Sequence, residues 1–312
     1  MNFIKQFEHI SNKFTQLQFD VRINIATNEL FNVEEFEVTK QIRSTRNIFS
    51  QQPIVIIADP FLFVHKDELF LFYEKQIGLE GKGEIKMKKT KDLKTWTRPK
   101  SVLNEKFHLS YPYVFKADGR IFMMPETHKD KSLRLYVPNN NLTQWKPYKT
   151  ILRGRDYVDS AIIFSEGKYF LFTTIFENLQ AQLFLYYADT IDGAWTEHPQ
   201  SPLNSDINVS RCAGSPFFHQ DKLYRPVQRF DHMYGDGVDI YQINKLTIDE
   251  YSEEKILNVI PNSDKFYSIG GHHFNPVQFQ GKQLVATDAL TKRVNVYEVM
   301  RRFRNKFRKN KL

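Results

Sequence analysis

The sequence has few of the features that mark secreted or membrane-spanning proteins. Its 312 residues include one cysteine, Cys212, so no disulfide can form within the chain, which fits a reducing compartment. No run approaches the roughly 18 apolar residues that a membrane-spanning helix needs. The opening MNFIKQFEHISNKF scatters charges among its apolar residues, unlike the unbroken apolar region of a signal peptide. These absences predict a cytoplasmic protein, either soluble or peripheral to a membrane.

Common catalytic and linker signatures are also missing. The segment GLEGKGE at 78–84 lacks the spacing of a nucleotide-binding loop and is typical of a hairpin tip. No Gly-x-Ser-x-Gly elbow is present. No stretch rich in Pro, Gly or Ser divides the chain. We therefore predict one domain over 1–299, whose N-terminal segment 1–50 is part of it, followed by a basic tail over 300–312.

Positive charge is concentrated in that tail. The formal net charge is +8, and seven basic residues with no acidic one lie in 300–312: Arg301, Arg302, Arg304, Lys306, Arg308, Lys309 and Lys311. Met300, Phe303 and Phe307 would share one face of a helix there. Such a helix suits an anionic membrane surface, where each basic residue contributes about 1 kcal/mol. The alternative is a solvated terminus. The body has no basic stripe, so no nucleic-acid partner is expected.

One aromatic-rich pattern occurs five times along the chain. Aromatic residues make up 14% of the sequence, and they favour strands. Each unit has a small or polar residue, an aromatic strand, a short polar turn and a second aromatic strand. The units are IADPFLFVHKDELFLFYE, HLSYPYVFKADGRIFMMPET, YVDSAIIFSEGKYFLFTT, RCAGSPFFHQDKLYRPVQ and GGHHFNPVQFQGKQLVATD. Equivalent positions are spaced by 52, 49, 55 and 60 residues: Pro60, Pro112, Ala161, Pro216 and Pro276.

The repeat length predicts an all-β, five-bladed β-propeller. Trp96, Trp145 and Trp195 recur 49 and 50 residues apart, as expected near the outer edge of each unit. A four-stranded sheet of about 50 residues, repeated radially, is a propeller blade. The fifth unit stops early, and we predict that the alternating run QFDVRINIA at 18–26 closes the ring as a strand. The alternatives are an N-terminal helix or arm on the rim, and a β-sandwich with a second domain.

The propeller arrangement predicts one shared functional site. The inner strands of a propeller begin around a central funnel, so the residues that precede them converge: Asp59, Tyr111, Asp159, Ser215 and Asn275, with His272 and His273 beside the last. The second strands end at the same face: Glu74, Glu126, Thr174, Gln228 and Asp288. Carboxylates, amides and hydroxyls beside aromatic rings suit a sugar, because a sugar has many hydroxyls and apolar C–H faces.

Three carboxylates are the predicted catalytic residues. Asp59 would be the base, while Glu126 and Asp159 would orient the sugar. Arg211 and Arg225 would contact the phosphate of an activated donor, a nucleotide sugar. The further predicted substrate contacts are Glu74, Tyr111, Ser215, Gln228, Tyr234, His272, His273, Asn275 and Asp288.

These candidates have structural alternatives. Asp59 before Pro60 could cap a turn, and Cys212 is more typical of a small core residue than of a nucleophile. Adjacent histidines on a strand face opposite sides, so His272 and His273 predict no shared metal site.

A family resemblance supports the sugar hypothesis. It is carried by ADPFLF with LFYE, SYPYVF with MMPET, RCAGSPFF with LYRPVQ and YGDGV, and HHFNP, over 54–288. These segments resemble the propeller domain at the N-terminus of the plant glucosamine inositolphosphorylceramide transferases, and similar stand-alone domains of bacterial surface-polysaccharide clusters. In the plant proteins the transfer chemistry is assigned to a separate domain, so the resemblance itself implies sugar handling.

A more distant resemblance is to the five-bladed furanosidase- and fructosidase-type glycoside hydrolases. In those enzymes an aspartate that opens the first blade is the base or nucleophile, and Asp59 matches it. They also have an aspartate opening the second blade and a glutamate acid in the third. Tyr111 and Asp159 stand there in this sequence, which disfavours simple hydrolysis.

The function predicted from the sequence is a glycosyltransferase-type enzyme of bacterial surface-polysaccharide assembly, meaning capsule or lipopolysaccharide. Its partners would be a sugar or oligosaccharide, an anionic membrane surface and other enzymes of glycan assembly. Two alternatives stay open. One is a glycoside hydrolase or phosphorylase that acts on an oligosaccharide. The other is a non-catalytic glycan-binding module.

Overall fold

The chain folds into five sheets, each of four antiparallel strands, arranged as a five-bladed β-propeller. The computed structural model describes residues 15–44, 55–77, 81–177, 180–260 and 266–294. The strands, in chain order, are β1 (Thr15–Ile25), β2 (Glu37–Ile42), β3 (Val55–His65), β4 (Glu68–Ile77), β5 (Glu84–Thr90), β6 (Lys100–Leu103), β7 (Ser110–Ala117), β8 (Arg120–Glu126), β9 (Ser132–Pro138), β10 (Trp145–Arg153), β11 (Tyr157–Ser165), β12 (Lys168–Glu177), β13 (Gln180–Ala188), β14 (Thr196–Glu197), β15 (Phe217–His219), β16 (Lys222–Arg229), β17 (Gly237–Leu246), β18 (Tyr251–Ile260), β19 (Phe274–Phe279) and β20 (Lys282–Val294).

Helical structure within the described ranges is limited to three short segments. Two are single 3-10 turns, Val33–Glu35 and His128–Asp130. The third is the one-turn α-helix α1 (Ile207–Ser210), whose first turn is capped by the side chain of Asp206. No helix among these residues is long and apolar enough to cross a membrane. The tail predicted over 300–312 lies outside the described residues.

Blades 1 to 4 are consecutive in the chain, and blade 5 closes the ring. Blades 1, 2, 3 and 4 consist of β3–β6, β7–β10, β11–β14 and β15–β18, while blade 5 has the order β19-β20-β1-β2. The prediction that 18–26 closes the ring as a strand is confirmed. β1 pairs along its whole length with β20, from Thr15 opposite Val294 to Ile25 opposite Leu284. The N-terminal segment also supplies the outermost strand β2, so closure uses two strands from the start of the chain.

The core lies between neighbouring blades. Consecutive residues of β4, from Leu69 to Tyr73, are all buried, because both faces of a middle strand are covered by the adjacent blades. The outermost strand β18 instead exposes half of its side chains. Trp145 is buried against Phe72 of blade 1, with ring centroids 5.8 Å apart. Trp145 therefore packs blade 2 against blade 1.

Three inner strands carry the same irregularity where they begin. Asp59, Tyr111 and Asp159 have φ angles of 52°, 46° and 47°. These angles lie in the left-handed region, which residues other than glycine rarely adopt. The pairing of each inner strand with its neighbour shifts register at this point. Such bulges re-aim side chains near functional sites. The repeated bulge therefore sets the direction of Asp59 and Asp159 in two blades.

Candidate functional site

A cavity of about 350 Å³ lies at one end of the propeller axis. Residues of all five blades line it, and its volume falls in the range of small-molecule sites. Seven side chains that the sequence analysis singled out are among the lining residues: Asp59, Glu74, Glu126, Asp159, Arg211, Tyr234 and His272. The five blades therefore bring together residues as far apart in the chain as Asp59 and His272.

Backbone hydrogen bonds hold the carboxylates in a ring. The N–H of Tyr111 donates to Asp59 Oδ2 at 3.0 Å, and the N–H of Asp159 donates to Glu126 Oε2 at 3.0 Å. The N–H of Asp59 donates to Asp288 Oδ2 at 3.2 Å. Each bond joins the bulge of one inner strand to a carboxylate of the preceding blade. The same groups therefore shape the cavity and connect the blades.

Asp59 lies at one end of a chain of titratable groups whose middle member is His272. His272 Nδ1 is 2.7 Å from Asp288 Oδ2, and His272 Nε2 is 3.7 Å from Asp59 Oδ1. The imidazole stacks on the ring of Phe19 at 4.2 Å. Burial raises the pKa of Asp59 to about 6, against the attraction of His272. A carboxyl group that titrates near neutral pH can both accept and return a proton.

The same three side chains are the candidate cation ligands of the described residues. Asp59, His272 and Asp288 each offer a ligand atom, and these atoms lie within 4.8 Å of one another. The contact between His272 and Asp288 already uses one nitrogen and one oxygen of the three groups. The three side chains also form an ion-paired network with one another.

Glu126 is held ionised by His128, a residue that the sequence analysis did not select. His128 Nδ1 lies 2.5 Å from Glu126 Oε1. Burial favours the neutral carboxyl, but the charge and hydrogen bond of His128 outweigh it and bring the pKa of Glu126 to about 2. The same contact raises the pKa of His128, against the effect of burial. Glu126 and Asp59 therefore differ in protonation behaviour although both are buried carboxyl groups.

The pair predicts a pH-dependent contribution to stability. Glu126 contributes above its ordinary pKa of 4.5, and this contribution is lost as pH falls towards about 2. His128 contributes below its ordinary pKa of 6.5, and this is lost as pH rises past its raised value. We expect His128→Gln to lower the free energy of unfolding by about 2 kcal/mol near pH 5.5, and by less near pH 9.

Urea unfolding at the two pH values measures this difference. Lys129→Gln, at the exposed neighbouring position, serves as the matched control and should change the free energy of unfolding little at either pH. A loss for His128→Gln that is the same at both pH values would show that the ion pair does not carry the effect.

A second histidine–glutamate contact lies beside the first. The N–H of Gly83 donates to His108 Nδ1 at 3.0 Å, so the ring hydrogen is on Nε2, which is 3.3 Å from Glu74 Oε1. Burial and the charge of Asp59 raise the pKa of Glu74 well above its ordinary value, while burial lowers the pKa of His108. On this side of the cavity, burial therefore favours the neutral, hydrogen-bonding forms of Glu74 and His108.

Arg211 lines the cavity but is directed at Asp159. Its Nε and Nη2 lie 2.7 and 2.5 Å from Asp159 Oδ2. Gln228 Nε2 donates to the same oxygen at 2.8 Å. Burial raises the pKa of Asp159 to about 7 even against the guanidinium. The guanidinium also lies over the ring of Tyr234, 5.4 Å from its centroid, so its charge is paired and stacked within the protein.

Arg225 does not reach the cavity. It is fully buried within blade 4, where Nε and Nη2 lie 2.9 and 2.5 Å from the carboxylate of Glu253. Nη2 also donates to the carbonyl of Val209 at 2.9 Å. The expected contact with a ligand or a cavity carboxylate is therefore replaced by a structural ion pair. Its partner lies on β18, two strands away in the sheet, where the local sequence around 225 does not reveal it.

The other selected residues support the cavity from outside its lining. Tyr111 is fully buried, and its hydroxyl accepts the N–H of Gly214 at 2.9 Å. Burial lowers the pKa of His273 to about 3, so this imidazole is neutral. Asn275 accepts the N–H of Leu62 at 2.8 Å and lies 3.4 Å from the hydroxyl of Ser215. These contacts join inner strands of different blades.

Several lining residues were missed by the sequence analysis: Phe19, Ile56, Ala58, Gln76, His108, Ser110, His128, Asp156, Val158 and Phe176. His128 follows Glu126 by two residues, and His108 lies near the start of the second repeat, so their positions in the repeats were usable signals. The sequence around Phe19 contained no such signal. Its side chain lines the cavity because β1 is a strand of blade 5.

The lining is strongly acidic. Five carboxyl groups face the cavity: Asp59, Glu74, Glu126, Asp156 and Asp159. Among the described lining residues, the basic side chains are Arg211 and three histidines. Phe19, Phe176 and Tyr234 add aromatic surface. The arrangement can hydrogen-bond a polyol, pack on its C–H faces and exchange a proton with it.

Comparison with known sequences points to one family. Residues 38–289 match the family model described as the N-terminal part of glucosamine inositolphosphorylceramide transferase 1. The transferase of Oryza sativa subsp. japonica is 37% identical over 208 residues, which cover 64% of this chain and 28% of that protein. The Arabidopsis thaliana transferase is 32% identical over 244 residues, covering 75% and 32%. The chain thus spans about a third of the length of these curated relatives.

Comparison with solved structures shows the fold. A Bombyx mori family GH32 β-fructofuranosidase superimposes with a TM-score of 0.56 at 14% identity, covering 76% of this chain and 60% of that one. A family 117 glycoside hydrolase of Zobellia galactanivorans gives a TM-score of 0.54 at 13% identity, covering 90% and 92%. At such identities the likeness concerns the five-bladed architecture alone.

Proposed function

Since this chain belongs to the family of the N-terminal part of glucosamine inositolphosphorylceramide transferase 1, we propose that its central cavity binds a sugar and takes part in glycosyl transfer. The observation that carries the proposal is the convergence of carboxyl groups from blades 1, 2 and 3 in one cavity with aromatic walls. A packed propeller axis needs no such cluster, because buried like charges raise the free energy of the folded state.

The residues divide into distinct roles. Asp59 is the proton acceptor for the sugar hydroxyl that attacks, since its pKa of about 6 lets it exchange a proton near neutral pH. His272, held by Asp288, orients Asp59 and stabilises its ionised form. Glu126 stays ionised beside His128 and stabilises positive charge on the sugar ring. A nucleotide sugar is the proposed donor.

The charge of the lining favours a particular sugar class. Five carboxyl groups line the cavity, where Arg211 is already directed at Asp159 and His128 at Glu126. A protonated amine offers the missing positive charge and three N–H donors. The name of the relatives includes glucosamine. We therefore propose a hexosamine with a free amino group as the sugar in the cavity.

Binding of three related sugars tests this choice. We expect glucosamine to bind at least about tenfold more tightly than glucose or N-acetylglucosamine, because only its amine is charged. Binding should strengthen as pH rises through about 6 and 7, where Asp59 and Asp159 ionise, and weaken again when the amine loses its proton. Isothermal titration calorimetry across this pH range measures both effects.

The matched control keeps the cavity and changes one charge. Glu126→Gln should weaken binding of glucosamine more than binding of glucose, because it removes a carboxylate that is held ionised in the cavity lining while preserving its size. Equal affinities for the three sugars, or a preference for glucose, would contradict a cation-selective cavity.

The proposed setting is the assembly of a bacterial surface polysaccharide in the cytoplasm. The single cysteine and the basic segment at 300–312 support this location. The genes beside the coding sequence test it, because neighbours for capsule or lipopolysaccharide synthesis would support the setting and neighbours for catabolism would oppose it.

Hydrolysis is the second candidate function, and the pKa contrast favours it. Burial raises the pKa of Asp59 to about 6, whereas His128 brings that of Glu126 to about 2. A protonatable and an ionised carboxyl group in one cavity are the pair that glycoside hydrolysis uses. Release of reducing sugar from oligosaccharides without a nucleotide sugar would favour hydrolysis over transfer. Saccharide binding without turnover in either assay would favour a binding module.

A further inference from the structure

A groove lies between the outer edges of blades 1 and 2. It is formed by β6 and the residues that follow it, and by the end of β9 and the start of β10. Its volume of about 660 Å³ exceeds that of the axial cavity, with which it shares no lining residue. Since β6 and β10 are the outermost strands of their sheets, the groove is on the side of the propeller and is a separate site.

Trp145 lines this groove and differs from the two other recurring tryptophans. Nε1 of Trp96 donates to the carbonyl of Leu93 at 3.1 Å. Nε1 of Trp195 donates to the carbonyl of Ile191 at 3.3 Å. Trp145 is only 7% exposed, and its Nε1 has no hydrogen-bond acceptor among the residues that the structure describes. A buried N–H without an acceptor destabilises the folded state unless a water or a ligand accepts its hydrogen.

The local backbone does not account for this difference. The segments DLKTW and NLTQW align residue by residue, and Leu93 and Leu142 both have a positive φ, of 62° and 55°. The ring of Trp145 instead packs against Phe72 of blade 1, which separates its N–H from the carbonyl that the equivalent residue uses in blade 1. Because Trp145 lines the groove, an occupant of the groove can supply the acceptor.

The exposed side chains of the groove are chiefly neutral and polar. They are Ser101, Asn104, Asn139 and Gln144. Pro138 and Pro147 add apolar ring surface. None of the described lining residues is an exposed large hydrophobic one, which a protein partner would normally contact. Amides and hydroxyls beside an indole and proline rings suit a saccharide, which has neutral hydroxyls and apolar C–H faces.

The strand edges beside the groove do not suit an extended peptide. The pairing of β10 with β9 shifts register after Pro147 and again after Thr150, and Pro147 has no backbone N–H to donate. β6 is four residues long, and its pairing with β5 also shifts register. Bulges, prolines and short strands are the features that prevent another strand from adding to an edge.

A short segment joins the groove to the axial cavity. Asn104 and Glu105 line the groove, while His108 and Ser110 line the cavity. The three residues from 105 to 108 span at most about 10 Å. A saccharide of several units can therefore occupy both places at once.

We propose that the groove between β6 and β10 is a second binding site, which holds the chain of an oligosaccharide whose end sugar occupies the cavity. Trp145 Nε1 donates to an oxygen of that chain, and the exposed amides of Asn104 and Gln144 bind further hydroxyls. The ligand class follows from the side chains of the groove, whereas the link to the cavity rests on the proposed function. The groove thus holds the chain while the reaction takes place at its end.

The three indole N–H groups report directly on the groove. The chain has three tryptophans, so protein labelled with nitrogen-15 tryptophan gives three indole signals, which Trp96→Phe, Trp145→Phe and Trp195→Phe assign. The probe is the hexasaccharide of glucosamine. We expect it to shift the Trp145 signal and to leave the other two in place. Glucosamine itself should leave all three in place, because one sugar in the cavity does not reach the groove.

The dependence of affinity on chain length measures the contribution of the groove. We expect the hexasaccharide to bind at least about tenfold more tightly than the disaccharide of glucosamine. Asn104→Ala with Gln144→Ala should remove most of this gain without changing the affinity for glucosamine. The matched control is Asn140→Ala with Asn141→Ala, which changes two exposed amides that do not line the groove. Isothermal titration calorimetry on the full chain measures all of these affinities.

Three results would overturn the inference. They are equal affinities for the disaccharide and the hexasaccharide, a gain with length that is the same in the groove variant and its control, and a shift of the Trp96 or Trp195 signal in place of that of Trp145. The glucosamine titration keeps the two proposals apart. A protein that does not bind glucosamine would contradict the sugar proposed for the cavity, and a shift of the Trp145 signal by the hexasaccharide would still support the groove.

Discussion

Replacing Asp59 with asparagine should reduce glycosyl transfer by about a hundred- to ten-thousand-fold, the usual contribution of a proton-transfer group. Asparagine keeps an oxygen that can accept the N–H of Tyr111, which is 3.0 Å from the carboxylate. It also tolerates the left-handed backbone at this position, where φ is 52°. The substitution therefore removes the base while preserving the hydrogen bond and the bulge.

The effect is measured as transfer of a labelled sugar from nucleotide-sugar donors in an extract. We expect kcat to fall while KM changes little, because the sugar keeps its other contacts. Asp67→Asn is the matched control, since Asp67 also has a positive φ of 59° but lies in an exposed hairpin turn. Product formation that is unchanged in Asp59→Asn would remove Asp59 from the proposed chemistry.

Replacing Arg225 with methionine should lower the free energy of unfolding by about 3–5 kcal/mol. Glu253 would keep a buried carboxylate without its guanidinium partner, which lies 2.5–2.9 Å away. The carbonyl of Val209 would lose its donor as well. Because a domain is stable by only about 5–15 kcal/mol, this loss is large.

Urea unfolding measures the effect, and a second variant identifies its cause. The double substitution Arg225→Met with Glu253→Leu removes both charges, so it should recover most of the lost stability. Transfer per folded molecule should stay unchanged in the single variant, because Arg225 does not line the cavity. A folded Arg225→Met protein that has lost transfer activity would instead show that Arg225 takes part in the functional site.

The fold was predictable because the blades of a propeller correspond to repeats in the sequence. Each blade is the same supersecondary unit, so its turns and aromatic strands recur at nearly constant spacing and can be aligned within one chain. The incomplete fifth unit indicated that a strand must come from elsewhere, and the alternating run at 18–26 had the pattern of that strand. The use of β2 as the outermost strand was not predicted, since 37–42 matches no repeat.

The site was partly predictable for the same reason. Asp59 and Asp159 occupy equivalent repeat positions, so the radial symmetry of the blades predicts that both lie around one axis. Arg225 was assigned to the cavity because it stands where the other blades have an apolar or aromatic residue, and a buried basic group needs a partner or a ligand; it lies elsewhere. Side chains alternate between the two faces of a strand, and the repeat alone does not show which face of β16 turns towards the cavity and which towards Glu253.

The sequence by itself determined the number of blades, the closing strand and the convergence of the carboxylates, because these follow from periodicity along the chain. The tertiary structure alone decided which groups touch: His128 with Glu126, His272 between Asp288 and Asp59, and Arg211 on Asp159. The contacts of His272 and Arg211 join segments that are far apart in the chain, while His128 lies in the 3-10 turn that follows β8, whose last residue is Glu126. They set the pKa values, since burial and nearby charge act through space rather than along the chain.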